Sequence, residues 1–542
     1  MNKLPRSLVP PVGPYPLQRK FALWGLVVGA VGAALFRSPL AGLAFLVLFL
    51  NTGLLWHRNE APVLSFCLAY QWLFAVLGYL FFRASGRYPS GEKIGNLEGA
   101  VALSLIGLAA LAVGLRLGLY CWDKSDLRRN NAVLAGEPRY EVRRLFFVTL
   151  VGALTAFVWR RAPIDVWFGG AQILYRLLEL RTILLALLLF CVLRQRQGYG
   201  YGTVAAVVAW VSSFGSVMSS FSLVLILLFV VLLREWQPWL SAAPAKQRNM
   251  RVLVTAVGVA TVTLVLGAIW EGGVKGAWRS EMLDEQGETV SDAGTKEFVQ
   301  TVKEEAPLVE FKSAFESVWT RMSSDVLYFS YVLERVPSML PHENGMLTRR
   351  ALLHILVPRI FFPEKLNLGS DSWLVIYYAG VPAADIEMGT SIGLGYIAEF
   401  FIDYGVPWMF LPLLVYGFLI ALAYRSLQLV SPSYPLWMSA ALVMCLATFT
   451  SYGGEIAKLF GALVECVIIY SVILKLFGGV FHRWLLAAPM DLNGRYPALA
   501  RSAVRQNRWT GVRAHGSEIV QRRRRRSRSL SAAKKGDVAE RT

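Results

Sequence analysis

The stretch LEGAVALSLIGLAALAVGLRLGLYCW, residues 97–122, decides the fold class of this chain. It contains only two charged residues and is long enough for one helix to cross the hydrocarbon core of a bilayer. Similar apolar runs follow at APVLSFCLAYQWLFAVLGYLFF (61–82), RVLVTAVGVATVTLVLGAIW (251–270) and LFGALVECVIIYSVILKLFGGV (459–480). The sequence therefore predicts an all-α polytopic membrane protein.

The composition supports this fold class. The chain has 542 residues, of which 55% are hydrophobic and only 17% are charged, whereas soluble domains carry about 25% charged residues. No CxxC motif and no His/Cys cluster with metal-ligand spacing is present, so we expect neither a metal site nor a cofactor. The cysteines all lie in or beside apolar runs, which argues against a disulfide framework; they are Cys67, Cys121, Cys191, Cys445 and Cys466.

The apolar runs predict about twelve membrane spans. With the basic N-terminus inside, the basic loops 122–144 and 234–251 also lie inside, as the positive-inside rule requires. The loop WRRAPID (159–165) lies outside in this count and departs from the rule. The spans are about 21–36, 39–56, 61–82, 97–121, 145–158, 180–193, 202–216, 219–233, 251–270, 405–424, 433–450 and 456–479.

This count divides the chain into five parts. Residues 1–20 are a cytoplasmic N-terminus, and 21–270 hold spans one to nine. Residues 271–404 form one large extracytoplasmic loop, 405–480 hold spans ten to twelve, and 481–542 form a basic, disordered cytoplasmic tail. The tail has 15 Lys and Arg against 4 Asp and Glu, with QRRRRRSRS at 521–529. Such a tail favours contact with anionic lipid over nucleic acid, because it follows a membrane domain.

The large loop predicts two helices and an acidic stretch. RMSSDVLYFSYVLER (321–335) has an apolar stripe, with Asp325 among the polar residues placed broadly opposite. MLTRRALLHILVPRIFFPEK (346–365) is a second amphipathic helix, broken at Pro358. We expect the acidic stretch 281–316 to form a mobile, solvated segment that covers the loop, and we assign it no function.

The segment TSIGLGYIAEFFIDYG (390–405) carries two carboxylates in an apolar setting. Only about thirteen residues precede Gly405, too few to span a bilayer, so we expect 391–403 to be an amphipathic helix at the outer membrane surface. Residues four apart share a helix face. This spacing places Ser391, Gly395, Glu399 and Asp403 in one row, which is either part of a site or a surface stripe that pairs with arginines.

Basic side chains precede this segment. Arginine makes bidentate contacts with phosphate oxygens and stays charged, so Arg349, Arg350 and Arg359, with Lys365, suit a lipid pyrophosphate. The alternative is that they snorkel and form salt bridges. His354 shares a helix face with Arg350. There is no GxxxxGK[ST] and no strand followed by GxGxxG, which disfavours a nucleotide-dependent reaction.

Together these features resemble the Wzy-type O-antigen polymerases. The resemblance rests on the span pattern, the large loop before the last three spans, VPRIFFPEK (357–365) and TSIGLGYIAEFFIDYG, and matches closely only from about 349 to 424. It implies a GT-C-type, inverting, metal-independent glycosyltransferase at the outer face of the bacterial inner membrane. The substrate implied is an undecaprenyl-pyrophosphate-linked oligosaccharide, with a chain-length regulator and a flippase as pathway partners.

The resemblance also implies residue roles. Arg359, with Arg350 or Arg349, would bind the pyrophosphate, and Lys365 lies close behind. We assign Glu399 first as acceptor of the attacking hydroxyl's proton, with Asp403 or His354 behind it. Two alternatives remain open at this point: a related O-antigen ligase, and a lipid-linked oligosaccharide flippase or transporter.

Overall fold

The computed structural model describes residues 19–56, 62–88, 94–121, 139–159, 171–212, 221–235, 243–270, 274, 300–301, 304, 311–357, 371–382 and 393–486. The chain divides into two compact units, Met1–Leu485 and Leu486–Thr542. Every helix of the described residues belongs to the first unit, and no β-strand occurs in this part of the chain. Arg359, Lys365, Ser391 and the arginine run 522–526 lie outside the described residues.

The helices of the described residues are, in chain order, α1 (Arg19–Leu35), α2 (Pro39–Leu55), α3 (Val63–Ser85), α4 (Leu97–Tyr120), α5 (Val142–Trp159), α6 (Ala171–Leu178), α7 (Leu180–Gln195), α8 (Tyr199–Val211), α9 (Phe221–Glu235), α10 (Ala243–Ile269), α11 (Phe311–Arg335), α12 (Met346–Leu356), α13 (Asp371–Leu374), which continues as a π-helix (Val375–Ala379), α14 (Tyr396–Tyr404), α15 (Phe410–Val430), α16 (Tyr434–Phe449), α17 (Ile456–Leu476) and α18 (Gly478–Leu485).

Four of these helices are long and apolar enough to cross a membrane: α3, α4, α15 and α17. A described helix also overlaps each of the other eight predicted spans. Several of those are apolar but shorter, among them α2, α8 and α16. The protein is thus an almost entirely helical membrane protein, and the count of twelve spans stays a prediction.

Glycine brings α4 and α15 into close contact. A Cβ on Gly118 would lie 2.6 Å from the carbonyl oxygen of Phe418, and a Cβ on Gly114 or Gly417 would overlap the backbone of the opposite helix. Small residues allow this backbone approach between membrane helices. The backbones of α4 and α15 therefore lie in direct contact along several turns.

The described loops gather at two ends of the first unit. At one end, the hydroxyl of Tyr88, which follows α3, donates a 2.7 Å hydrogen bond to the Ser323 carbonyl of α11. At the same end, the hydroxyl of Tyr452, which follows α16, lies 2.7 Å from Ser104 Oγ of α4. We call this the loop end, because α11, α12 and α14 pack there. At the other, the tail end, the Tyr140 hydroxyl lies 2.6 Å from Ser433 Oγ.

The helix at 391–403 differs from its prediction. It begins at Tyr396, after Gly395 with φ 85°, and every residue from Tyr396 to Asp403 is buried. Its two carboxylates are therefore buried within the protein, and its position at the outer membrane surface stays a prediction. Its carboxylates bind the ends of other helices instead of solvent.

The helices at 321–335 and 346–365 are confirmed with different bounds. The first begins at Phe311, and the second ends at Leu356. Asp325 is expected opposite the apolar stripe of α11, but it is buried. It follows Met322 by three residues and precedes Phe329 by four, so the helical period brings it beside the apolar face.

Candidate functional site

Glu399 connects α14 to the start of α17. Its side chain is buried, and its Oε2 accepts a hydrogen bond of 3.2 Å from the backbone N–H of Ile456, the first residue of α17. The first N–H groups of a helix lack partners within the helix and carry positive partial charge. A carboxylate at this point therefore stabilises the start of α17.

Asp403 performs the same task for α12. Its carboxylate accepts hydrogen bonds from the backbone N–H of Leu347 (2.9 Å), the backbone N–H of Thr348 (2.7 Å) and the Thr348 hydroxyl (2.6 Å). The side chain is fully buried. Because Gly345, the residue before α12, has no side chain to cap the helix, Asp403 supplies the cap from 55 residues away in sequence. Asp403 thereby sets the position of α12.

The basic residues of α12 follow directly from this cap. Arg349 and Arg350 lie in the second turn and are exposed, while His354 is partly buried. Ile355 faces α17, where a Cβ on Gly461 would contact it at 3.7 Å. Asp403 therefore contacts the first turn of the helix that carries Arg349 and Arg350, and Arg359 and Lys365 lie outside the described residues.

Asp325 is a chemically distinctive residue that the sequence reasoning missed as a site candidate. It is buried in α11, and this burial raises the pKa of its carboxyl to about 6, although nearby Arg321 and a hydrogen bond from Ser324 lower it. A carboxyl with a pKa near neutrality can accept a proton and then release it. Its position beside the apolar stripe of α11 was the sequence signal that could have identified it.

The backbone around Asp325 is rich in glycine. A Cβ on Gly453 would lie 2.7 Å from Asp325 Oδ2, and a Cβ on Gly395 would lie 2.6 Å from the Tyr452 carbonyl oxygen. Gly393 likewise lies against the Gly453 carbonyl. Glycine is therefore required where the segment 393–395 packs against the backbone of 452–453, and where Gly453 contacts the Asp325 carboxylate.

Two phenols complete these surroundings. Burial raises the pKa of Tyr452 and of Tyr88, and the Asp325 charge raises both further. Both phenols stay protonated at physiological pH. The Tyr88 hydroxyl donates to Ser323, and the Tyr452 hydroxyl pairs with Ser104. These bonds fix the two rings next to Asp325. In the described residues, no three His, Cys, Asp or Glu side chains converge as metal ligands.

A second polar cluster lies along α17. Arg176 donates to Glu465 Oε2 over 3.0 Å and to Glu179 Oε1 over 2.7 Å, and the Tyr470 hydroxyl donates to Glu179 Oε2 over 2.8 Å. Ionisable residues in membrane spans are costly and tend to be functional. The sequence signal was Glu465 in an otherwise apolar run, which the sequence reasoning did not use.

Comparisons with known proteins give one relationship. A comparison with curated proteins finds no match, and a comparison with solved structures finds none. A family described as a domain of unknown function, DUF8712, matches residues 67–474. The match covers more than half of the chain and includes Asp325, α12, α14 and Glu465. The chain therefore belongs to the DUF8712 family.

Proposed function

We propose that the protein polymerises undecaprenyl-pyrophosphate-linked oligosaccharide repeat units into O-antigen, capsule or exopolysaccharide. The observation that carries this proposal is the capping of α12 by Asp403, which presents Arg349 and Arg350 as exposed cations at the loop end. The buried carboxyl of Asp325, with its raised pKa, lies at the same end. Glycosyl transfer from a pyrophosphate donor requires two elements, which are a helix that binds the anionic leaving group and a group that accepts the proton.

The proposed reaction is an inverting displacement. The hydroxyl oxygen of the acceptor attacks the anomeric carbon of the donor and forms the new glycosidic bond. The bond from that carbon to the pyrophosphate oxygen breaks, and its electron pair leaves with undecaprenyl pyrophosphate. Arg349 and Arg350 stabilise the charge that grows on the leaving group. The proposed reaction steps use no nucleotide and no metal.

The hydroxyl proton requires an acceptor. Glu399 is the first choice from the sequence, with Asp403 or His354 behind it, but both carboxylates accept hydrogen bonds from helix N-termini. Asp325 is better suited, because burial raises its pKa to about 6, close to the pH at which a general base works well. We therefore assign the proton to Asp325.

The proposed location is the bacterial inner membrane, with both termini cytoplasmic and the loop end facing outward. Exposed basic side chains at the tail end support this orientation, since cytoplasmic loops carry an excess of Lys and Arg. Arg143, Arg194 and Arg483 are among them. The five-part division of the chain and the extracytoplasmic position of 271–404 follow from the same orientation.

One observation favours a transporter as the second candidate function. The cluster of Arg176, Glu179 and Glu465 lies along α17, and intramembrane charges often line substrate pathways. The two functions separate in cells that lack the protein. Loss of a polymerase leaves exported single repeat units, whereas loss of a flippase leaves no exported glycan. A ligase is separated by its acceptor, which is not a second repeat unit.

The direct test uses purified protein in lipid vesicles, with lipid-linked repeat units, a chelator and no nucleotide. The proposal predicts a product ladder spaced by one repeat unit. Single transfers to a different lipid acceptor would instead identify a ligase, and the absence of any product with folded protein would favour the transporter.

A further inference from the structure

Two exposed aromatic side chains stack face to face at the loop end. The rings of Trp373 and Tyr377 are stacked, with centroids 5.1 Å apart and planes only 8° from parallel. Trp373 is 49% exposed and Tyr377 is 43% exposed. Tyr377 belongs to the π-helix Val375–Ala379 that follows α13. Such π-helical turns are rare and often lie at functional sites. We call Trp373 and Tyr377 the aromatic platform.

A third aromatic residue fixes the platform from beneath. The buried Tyr378 ring is perpendicular to Tyr377, at 4.8 Å, and to Trp373, at 6.5 Å. Its hydroxyl donates a 2.7 Å hydrogen bond to Glu343 Oε1. Glu343 lies in the turn that leads into α12. The platform is therefore held in place before any ligand arrives, and it is attached to the turn before the helix that carries Arg349.

Polar groups border the platform. The Arg335 guanidinium donates to the Tyr377 carbonyl over 3.4 Å, and it lies where a Cβ on Gly380 would be. Arg335 Nε is buried and has no hydrogen-bond partner among the described residues. Buried donors are satisfied in nearly all cases.

We propose that Trp373 and Tyr377 bind a pyranose ring of the glycan substrate. One face of a pyranose consists of C–H groups, which are attracted to the negative face of an aromatic ring. Its edge carries hydroxyls, which pair with guanidinium and carboxylate groups such as those of Arg335 and Glu343. The platform deepens the proposed function, on which it rests, because it places the sugar beside the helix proposed to hold the pyrophosphate.

An aromatic anchor in the membrane interface is the competing explanation. Trp408, before α15, has that character, because it is 66% exposed and has neither a parallel ring partner nor a supporting phenol among the described residues. Trp373 differs in both respects. Anchoring a ring in lipid does not require a parallel partner or a buried phenol that is hydrogen-bonded to a carboxylate. The arrangement therefore favours a ligand with a flat face.

The test measures glycan binding directly. Full-length protein in lipid nanodiscs is titrated with the lipid-free oligosaccharide released by mild acid from the producing cell's lipid-linked intermediate, and binding is followed by saturation-transfer NMR. We expect Trp373→Ala and Tyr377→Ala to weaken binding about tenfold, which corresponds to ~1.4 kcal/mol. Trp373→Phe keeps an aromatic face and serves as the folding control. Trp408→Ala is the matched control and leaves the Kd unchanged.

Two results would overturn the platform. One is an unchanged Kd in a folded variant that lacks both rings, and the other is no binding by the wild-type protein. Quenching of tryptophan fluorescence by brominated lipid tests the anchor explanation. The contribution of each tryptophan is obtained by comparing the wild-type protein with the Trp373→Phe and Trp408→Phe variants. Equal quenching of Trp373 and Trp408, together with an unchanged Kd, would assign Trp373 to the membrane.

The polymerisation assay on the same preparations separates the two proposals. If the wild-type protein makes a ladder but the platform variants bind the glycan as tightly as wild type does, only the platform proposal is overturned. Binding that depends on Trp373 without a ladder overturns the polymerase, and the platform then belongs to a glycan transporter or ligase.

Discussion

Asp403 is a single side chain that determines where two arginines lie. It accepts three hydrogen bonds from the first turn of α12, and Arg349 and Arg350 follow within one turn. In the proposed reaction its role is therefore positioning, because it acts through α12. Glu399, one turn earlier on α14, does the same for α17. These two carboxylates connect three helices that are distant in sequence.

Replacement of Asp403 should destabilise the protein. Asp403→Ala leaves the N–H groups of Leu347 and Thr348 without their buried partner, which costs about 1–3 kcal/mol. We expect a lower melting temperature in detergent, measured by intrinsic fluorescence. Thr348→Val removes only the hydroxyl bond and should cost less. Equal melting temperatures for the Asp403→Ala and wild-type proteins would contradict the capping role.

Asp325 should make stability depend on pH with a defined sign. Burial raises the pKa of its carboxyl to about 6 from the ordinary value of 3.8. The folded state then binds more protons than the unfolded state between these values, so the stabilisation is present at low pH and is lost as pH rises through about 6. Asp325→Asn cannot ionise, so its stability relative to wild type should increase from pH 5 to pH 8, measured by denaturant unfolding. A difference that stays constant over this range would contradict the assignment.

At the residue scale, the sequence identified the types of residue but not their partners. Of the predicted row, Glu399 and Asp403 share a helix face, whereas Gly395 precedes the helix and Ser391 lies outside the described residues. The partners of the two carboxylates are Ile456 and Thr348, 57 and 55 residues away, and no local pattern reveals such pairings. Asp325 was overlooked because it was grouped with the polar residues of α11, although it lies at the border of the apolar stripe.

At the scale of elements, close helix packing should be sensitive to one glycine. A side chain at Gly417 would overlap the backbone of α4 at Leu111. Gly417→Leu should therefore lower stability by at least about 1–3 kcal/mol, the usual cost of overpacking. A Cβ on Gly258 of α10 would have no neighbouring atom within 4 Å, so Gly258→Leu is the matched control. Similar melting temperatures for both variants would show that α4 and α15 are not in close contact.

Elements were predicted well where their pattern is local. Each long apolar run forms a helix, because in lipid the backbone N–H and C=O groups of a single segment can all be hydrogen-bonded only in a helix. The helix α14 was predicted in type but not in environment. Its alternation of carboxylates and aromatics is typical of an interface helix, yet α12 and α17 supply the polar partners that solvent would otherwise provide.

At the scale of the whole molecule, the two ends should lie on opposite sides of the membrane. Ser338 at the loop end and Gln197 at the tail end are exposed, and Cys121 is the exposed native cysteine of the described residues. In a Cys121→Ser background, we expect a membrane-impermeant maleimide to label Ser338→Cys in spheroplasts and Gln197→Cys only after the membrane is opened. Labelling of both from the same side would contradict the proposed orientation.

The helical membrane class followed from hydropathy, which is a property of the whole chain. The grouping of distant segments at the loop end did not, because it depends on contacts between residues such as Tyr88 and Ser323, 235 positions apart. The site is therefore a product of tertiary packing. This explains why the arginines could be proposed from sequence and the buried Asp325 could not.

The measurement that tests the central claim most directly is the product ladder made by purified protein from lipid-linked repeat units, with chelator and without nucleotide. We predict a ladder from the wild-type protein and from Arg143→Ala at the tail end. The Arg349→Ala/Arg350→Ala variant should form product about 10²–10³-fold more slowly, the usual cost of losing a transition-state charge partner. Asp325→Asn should lose activity, and the change in wild-type activity with pH near 6 should disappear with it. Full activity of the folded double-arginine variant, or no ladder from folded wild-type protein, would contradict the account.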